Sequence, residues 1–147
     1  MTAEAVKRLL EQITVWAEAR PDVRAVALVG SWAREAARPN SDMDLMLLVF
    51  EPELFERETK WVKEISVSKP KRWQDEDYGA ASSRRVFLED GSELEFTFST
   101  LAWASTAPVD PGTFRVIKDG CRILYDPEGI LEQLTNHVRQ TNRPPNS

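Results

Sequence analysis

The chain has 147 residues, a net charge of −5, 41% hydrophobic and 29% charged residues, and one cysteine. That length suits one domain whose core folds without a disulfide or metal staple, and a lone Cys121 excludes an intrachain disulfide. No apolar run has membrane-spanning length and no basic-then-apolar leader opens the chain, so the expected location is the cytoplasm. The acidic balance argues against long nucleic acid as a partner, because that affinity comes mostly from neutralising phosphates.

In chain order, Ala3 to Ala19 reads as a helix, with Val6, Leu9, Leu10, Ile13 and Trp16 at spacings of three and four. Val23 to Val29 is a short β-branched apolar run, hence a buried strand. Ser31 to Ala37 reads as a short helical turn and Asp42 to Phe50 as a second strand. Pro52 opens a helix to about Ser66, with Leu54, Phe55, Trp61, Val62 and Ile65 as its apolar face. A polar loop follows, whose Lys69, Lys71 and Arg72, with Arg84 and Arg85 beyond, read as solvated charge.

Then "RRVFLEDGSELEFTFS" predicts a hairpin turning at Asp90-Gly91. On its return strand Leu94, Phe96 and Phe98 share one face, and Glu93, Glu95 and Thr97 the other. Asp110-Pro111 caps a short helix stopped by Gly120, with a hairpin turn at Asp119-Gly120 as the competing reading. Arg122 to Tyr125 is a last strand, and Asp126-Pro127 starts a final helix to about Gln140. The expected fold is α/β (α+β): a mixed sheet flanked by helices in one domain over residues 1–140, with a flexible tail at 141–147.

The stretch "VGSWAREAARPNSDMDL" carries the chemistry. Residues two apart in a strand share a face, so Asp42 and Asp44 project side by side while Met43 and Leu45 enter the core. Adjacent carboxylates repel unless a cation sits between them. A hard ion such as Mg²⁺ takes few carboxylates and keeps sites for water and phosphate. Glu95 or Glu93 would supply a third carboxylate, and three suit two ions clamping the attacking and leaving oxygens of a nucleotidyl transfer. Gly30-Ser31 lets backbone N–H groups approach an anion at the start of the next turn.

This stretch resembles the signature of the polymerase-β-like nucleotidyltransferase superfamily: an apolar strand, Gly-Ser, a short helix, then Asp-x-Asp in a second strand. It is closest in style to the minimal nucleotidyltransferases and the N-terminal domains of aminoglycoside nucleotidyltransferases. "LEF" looks like that family's third motif, and "DGCRILYDPEGIL" like its last strand and helix. The resemblance implies that Gly30, Ser31, Arg34 and Ser41 bind the phosphates of a nucleoside triphosphate such as ATP. It implies that Asp42, Asp44 and Glu95 hold Mg²⁺, with Glu95 as ligand or base and Glu93 as its runner-up. Arg34 would meet phosphate or pair with Glu35. Glu35 departs from the glycine common in small members. Many relatives carry a further helical domain for the acceptor.

The reaction expected is transfer of a nucleoside monophosphate to a hydroxyl of a small molecule or protein. The acceptor site is then small, built by a second subunit, or absent, and a homodimer or a toxin-like partner is among the expected partners. The rival reading is an antitoxin-like module that binds a partner, with or without catalysis. Among tempting residues, His137 reads as a solvated helix-end residue and Cys121 as a small core residue. Trp16 and Trp61 fit core faces, while Trp32 is a candidate for the nucleotide pocket. Trp73 and Trp103 are candidates for an acceptor or partner surface, and Lys118 reads as exposed.

Overall fold

The computed structural model describes residues 2–35, 37, 42–65, 68–79 and 81–141. The chain runs α1 (Ala3–Glu18), β1 (Val23–Val29), β2 (Met43–Val49), α2 (Pro52–Arg57), α3 (Lys60–Ile65), β3 (Pro70–Asp77) and β4 (Ala81–Leu88). It continues with β5 (Glu93–Ser99), a 3₁₀ turn (Leu101–Ala104), α4 (Pro111–Asp119), β6 (Cys121–Tyr125) and α5 (Ile130–Arg139). The strands form one six-stranded sheet in the order β3-β4-β5-β2-β1-β6. Only β2 and β5 pair in parallel, so the sheet is mixed, as expected. The segments between them supply the long crossover that a parallel pair needs.

Alternation along the strands gives the sheet two faces. On the first, Val26 and Leu28 of β1, Leu45 and Leu47 of β2, and Phe96 and Phe98 of β5 pack against α1, α2 and α3. Trp61 and Phe55 anchor this layer: both are buried, and each stacks or meets edge-on with Phe98. On the second face Ala25, Ala27, Met46 and Leu48 pack under α4, α5 and the 3₁₀ turn through Phe114, Ile117, Leu131, Leu134 and Ala104. Asp110 caps α4, its carboxylate accepting from the N–H groups of Gly112 and Thr113, as its Asp-Pro pair predicts. The strand following Gly120 pairs with β1, and α4 is a helix, so no hairpin forms at Asp119-Gly120.

Four elements differ from the sequence reading. The helix expected over 52–66 breaks at Glu58 and Thr59, where Glu58 is extended. The expected polar loop contains β3, an exposed edge strand without apolar alternation; it is held by its backbone ladder to β4, and its charges guard a free edge. Residues 31–35 form turns rather than a helix, Ala36 lying outside the described residues. The last helix starts at Ile130, not Pro127, with Asp126 reaching forward to accept from the N–H groups of Leu131 and Glu132. Of the expected tail, residues 142–147 lie outside the described residues.

The break after α2 has a visible cause. Arg84 of β4 points into the first face and is 3% exposed. Its guanidinium donates to the carbonyls of Glu56 and Glu58 at 2.8 and 2.9 Å and to both carboxylate oxygens of Asp75 on β3. It also lies over the rings of Trp61 and Trp73. Saturating a buried guanidinium in this way makes it a rivet between helix end, edge strand and sheet. Arg84→Ala is expected to destabilise the fold by about 2–4 kcal/mol, since carbonyls and a cavity are left unpaired and unfilled. Arg84→Lys recovers only part of this, because an ammonium lacks the planar fork; urea unfolding of the three proteins checks both statements.

Candidate active site

The second face is covered by α4 and α5 over β1 and β6, and by the 3₁₀ turn over β2. Toward β4 and β5 it carries polar side chains instead. The parallel register sets Asp44 of β2 beside Glu95 of β5, and the hairpin sets Arg85 of β4 opposite Glu95. Cross-strand partners share a face, so these three side chains meet. Asp42 lies immediately before β2.

Arg85 is the hub. Its Nη1 donates to Asp42 Oδ2 at 2.5 Å and lies 3.5 Å from Glu93 Oε1; its Nη2 donates to Glu95 Oε2 at 2.9 Å. The side chains of Arg85, Asp42 and Glu95 are 33%, 36% and 21% exposed, so the cluster lines an open surface rather than a sealed cavity. Burial lowers the Arg85 pKa, but the Asp42 hydrogen bond and the fields of Glu95, Asp42 and Glu93 outweigh it and raise the value.

Among the described residues, Asp44 has no such hydrogen bond to a cation. Its pKa is raised from 3.8 to about 6, first by burial, then by the charges of Glu95 and Asp42, with Arg85 opposing and a hydrogen bond with Glu95 adding to the rise. Gly30 makes room for it: a Cβ there would stand 2.6 Å from Asp44 Oδ2, and the glycine φ is +76°. The position therefore demands glycine twice over, for its conformation and for the carboxylate against it.

Ser31 is half-buried in the turn that follows, whose tightness comes from the N–H groups of Ala33 and Arg34 donating to the Gly30 carbonyl. Arg34 is exposed; its backbone rests on Gly120 at the end of α4, and no ion pair joins it to Glu35 among the described residues. Glu35 has φ 58°, a conformation glycine takes without strain. Ser41 lies outside the described residues.

The other singled-out residues divide plainly. Trp32 packs against the first core and, with Glu35, borders a groove of about 820 Å³ between α1 and β6, on the face opposite the carboxylates. Trp103 packs against the second core, and its carbonyl accepts from Thr113. Lys118 is exposed beside the Phe114 ring, and His137 is exposed on α5. Cys121 is half-buried, its thiol pushed up to about 11 by burial, which makes it a poor nucleophile.

Arg84 and Arg85 correct the reading of the basic run as solvated charge: one is buried in the core, and the other sits in the acidic cluster. The sequence held a signal for Arg85. Counting outward from the Asp90-Gly91 turn pairs residue 88 with 92 and residue 85 with 95, which puts the arginine across from Glu95.

What cation fits here? No three His, Cys, Asp or Glu side chains among the described residues already converge on an ion-sized point. A guanidinium holds the centre of the cluster instead. The donors are all carboxylate oxygens, the set preferred by a hard divalent ion, and the stand-in already present is a cation. The residues thus fit Mg²⁺ once Arg85 yields.

A family model described as streptomycin adenylyltransferase matches residues 3–145. Among solved structures, an aminoglycoside 6-adenyltransferase from Bacillus subtilis is similar at 20% identity and TM-score 0.49. That match covers 65% of this chain but 36% of that one, so the chain spans about a third of the enzyme's length. A toxin–antitoxin assembly with AMP-PNP is similar at 11% identity and TM-score 0.39, covering 95% of this chain and 86% of that one. Likenesses this remote place no residue. No curated protein sequence matches the chain.

The crowding of charge around Asp44 has a measurable cost. Its raised pKa means that the protonated form suits the fold, so the stability it contributes is complete below pH 3.8 and is lost as pH rises through about 6. Asp44→Asn removes that loss. At pH 8 with chelator the variant is expected to be more stable by about 1 kcal/mol, a figure discounted for the group's partial exposure, and the difference vanishes near pH 4. Thermal melts across pH check it. Gly30→Ala, by contrast, is expected to lower stability by about 1–3 kcal/mol through strain and displacement of Asp44, read from the same melts.

Proposed function

The chain belongs to the streptomycin adenylyltransferase family, a family of nucleotidyltransferases, and from that premise we propose that it moves a nucleoside monophosphate from an NTP to a hydroxyl acceptor. The observation carrying this reading is that Asp44 and Glu95 stand side by side on the uncovered part of the second face, with Asp42 joined to Glu95 through Arg85, beside a glycine whose missing Cβ makes room for Asp44. Asp42 and Asp44 would hold Mg²⁺ with Glu95 as the third carboxylate. Glu95 is preferred over Glu93 because it stands level with Asp44 in the β2–β5 register. Bound there, Mg²⁺ would offset charge on the α-phosphate and on the departing pyrophosphate.

The chain's own groups would do the rest. The backbone around Gly30 and Ser31, with the exposed Arg34 and with Ser41, would seat the phosphates. Glu95 would orient the acceptor hydroxyl and take its proton as oxygen bonds to the α-phosphorus; the bond from that phosphorus to the bridging oxygen breaks, and pyrophosphate leaves. An aminoglycoside hydroxyl is the first acceptor to try, on the family's name alone. A protein hydroxyl is the second.

Calorimetric titration with α,β-methylene ATP tests the site. Binding is expected with Mg²⁺, not with chelator, and not in Asp42→Asn/Asp44→Asn. Transfer of α-labelled ATP to the acceptor should fall at least about a hundredfold in the same variant. A folded wild type that binds no analogue would refute the enzyme reading and favour the partner-binding alternative.

A further inference from the structure

We propose that Arg85 is a built-in cation that holds the metal position until nucleotide arrives, and that its fork then turns to the triphosphate, so that the divalent ion enters with nucleotide rather than ahead of it. This rests on the nucleotidyltransferase reading above. The argument begins with what Arg85 touches. Its neighbour Arg84 is a structural arginine, saturated by two backbone carbonyls, a carboxylate on an edge strand and two indole rings. Arg85 is bonded to the site's carboxylates: Asp42 at 2.5 Å and Glu95 at 2.9 Å, with Glu93 at 3.5 Å.

A guanidinium cannot give up its proton, so the only way to vacate that position is to move. An aqueous Mg²⁺ arriving alone would take the carboxylates and leave an unpaired guanidinium beside a dication, which like-charge repulsion opposes. A triphosphate changes the balance, because it offers the displaced fork two oxygens in the geometry it prefers. The stem of Arg85 is fixed on β4 while a third of the side chain is exposed, so the head can leave through side-chain rotation without disturbing the sheet. The exchange is therefore of partners: carboxylates pass from guanidinium to metal, and the guanidinium passes from carboxylates to phosphate.

The test measures free Mn²⁺ by its electron paramagnetic resonance signal as each protein is titrated, with and without α,β-methylene ATP. Circular dichroism confirms that each variant is folded. Without nucleotide, Arg85→Gln is expected to bind Mn²⁺ at least about tenfold more tightly than wild type, since a neighbouring positive charge has gone. With nucleotide, it is expected to bind the Mn²⁺–analogue complex about tenfold more weakly.

Arg85→Lys, which keeps the charge and loses the fork, should match wild type in the first measurement and resemble Arg85→Gln in the second. Equal Mn²⁺ affinity of wild type and Arg85→Gln without nucleotide would overturn the proposal, as would Arg85→Lys binding the analogue like wild type. Wild-type binding of the Mn²⁺–analogue complex reports separately on the nucleotidyltransferase reading. That reading survives any result for Arg85 so long as the complex binds, and falls if it does not.

Discussion

Two carboxylates set side by side across the parallel β2–β5 pair are the constraint around which the site is arranged. Asp44 and Glu95 cannot separate, because Leu45 and Phe96, the next residues on each strand, are locked into the first core. Their repulsion is managed locally. Asp44 is driven toward the protonated state, Glu95 takes one prong of Arg85, and Asp42 takes the other. Gly30 completes the arrangement by giving the Asp44 carboxylate a place to stand. Well-packed apolar strands on one face thus impose an unfavourable charge geometry on the other, a cost typical of functional sites.

The sheet separates the work by face. Arg84 and Arg85 are adjacent in sequence and identical in chemistry, yet alternation sends one under α2 and α3 and the other into the acidic cluster. The first is enclosed by carbonyls and indoles, and moving it would unpair the end of α2. The second is held, among the described residues, by side chains alone and is partly open to solvent, which is what the proposed exchange of partners requires. Rigidity on one side and exchange on the other are what a binding site built on strands needs.

Much of this was legible beforehand where periodicity or turn chemistry speaks. The apolar run of β1, the Asp90-Gly91 hairpin, the Asp110 cap and the strand positions of Asp44 and Glu95 follow from local rules. What escaped depended on distant partners. Nothing between Pro70 and Asp77 alternates, so β3 depends on the ladder that β4 offers it and on the grip of Arg84 on Asp75 and Trp73. Pro52 to Ile65 has a continuous apolar face, and its break comes from an arginine 26 residues beyond Glu58. Both arginines were read as a charged run because their signal lies in phase, not composition: Arg84 falls in step with Val86 and Leu88, and Arg85 in step with Glu95 across the turn.

Charge gives the acidic cluster a further consequence. With a net charge of −5 on the chain and Asp42, Asp44, Glu93 and Glu95 at the site, the long-range field repels a bare triphosphate. On the nucleotidyltransferase reading, a nucleotide that brought its own divalent ion would carry less negative charge and would offer these carboxylates a second cation. On the proposed exchange, Arg85 would sharpen the preference, since it would shield the carboxylates from a lone metal and gain a phosphate partner only when metal and nucleotide came together. An acidic protein could then take an anionic substrate, because the attraction would be stored within the site as carboxylates whose counter-ion can be replaced.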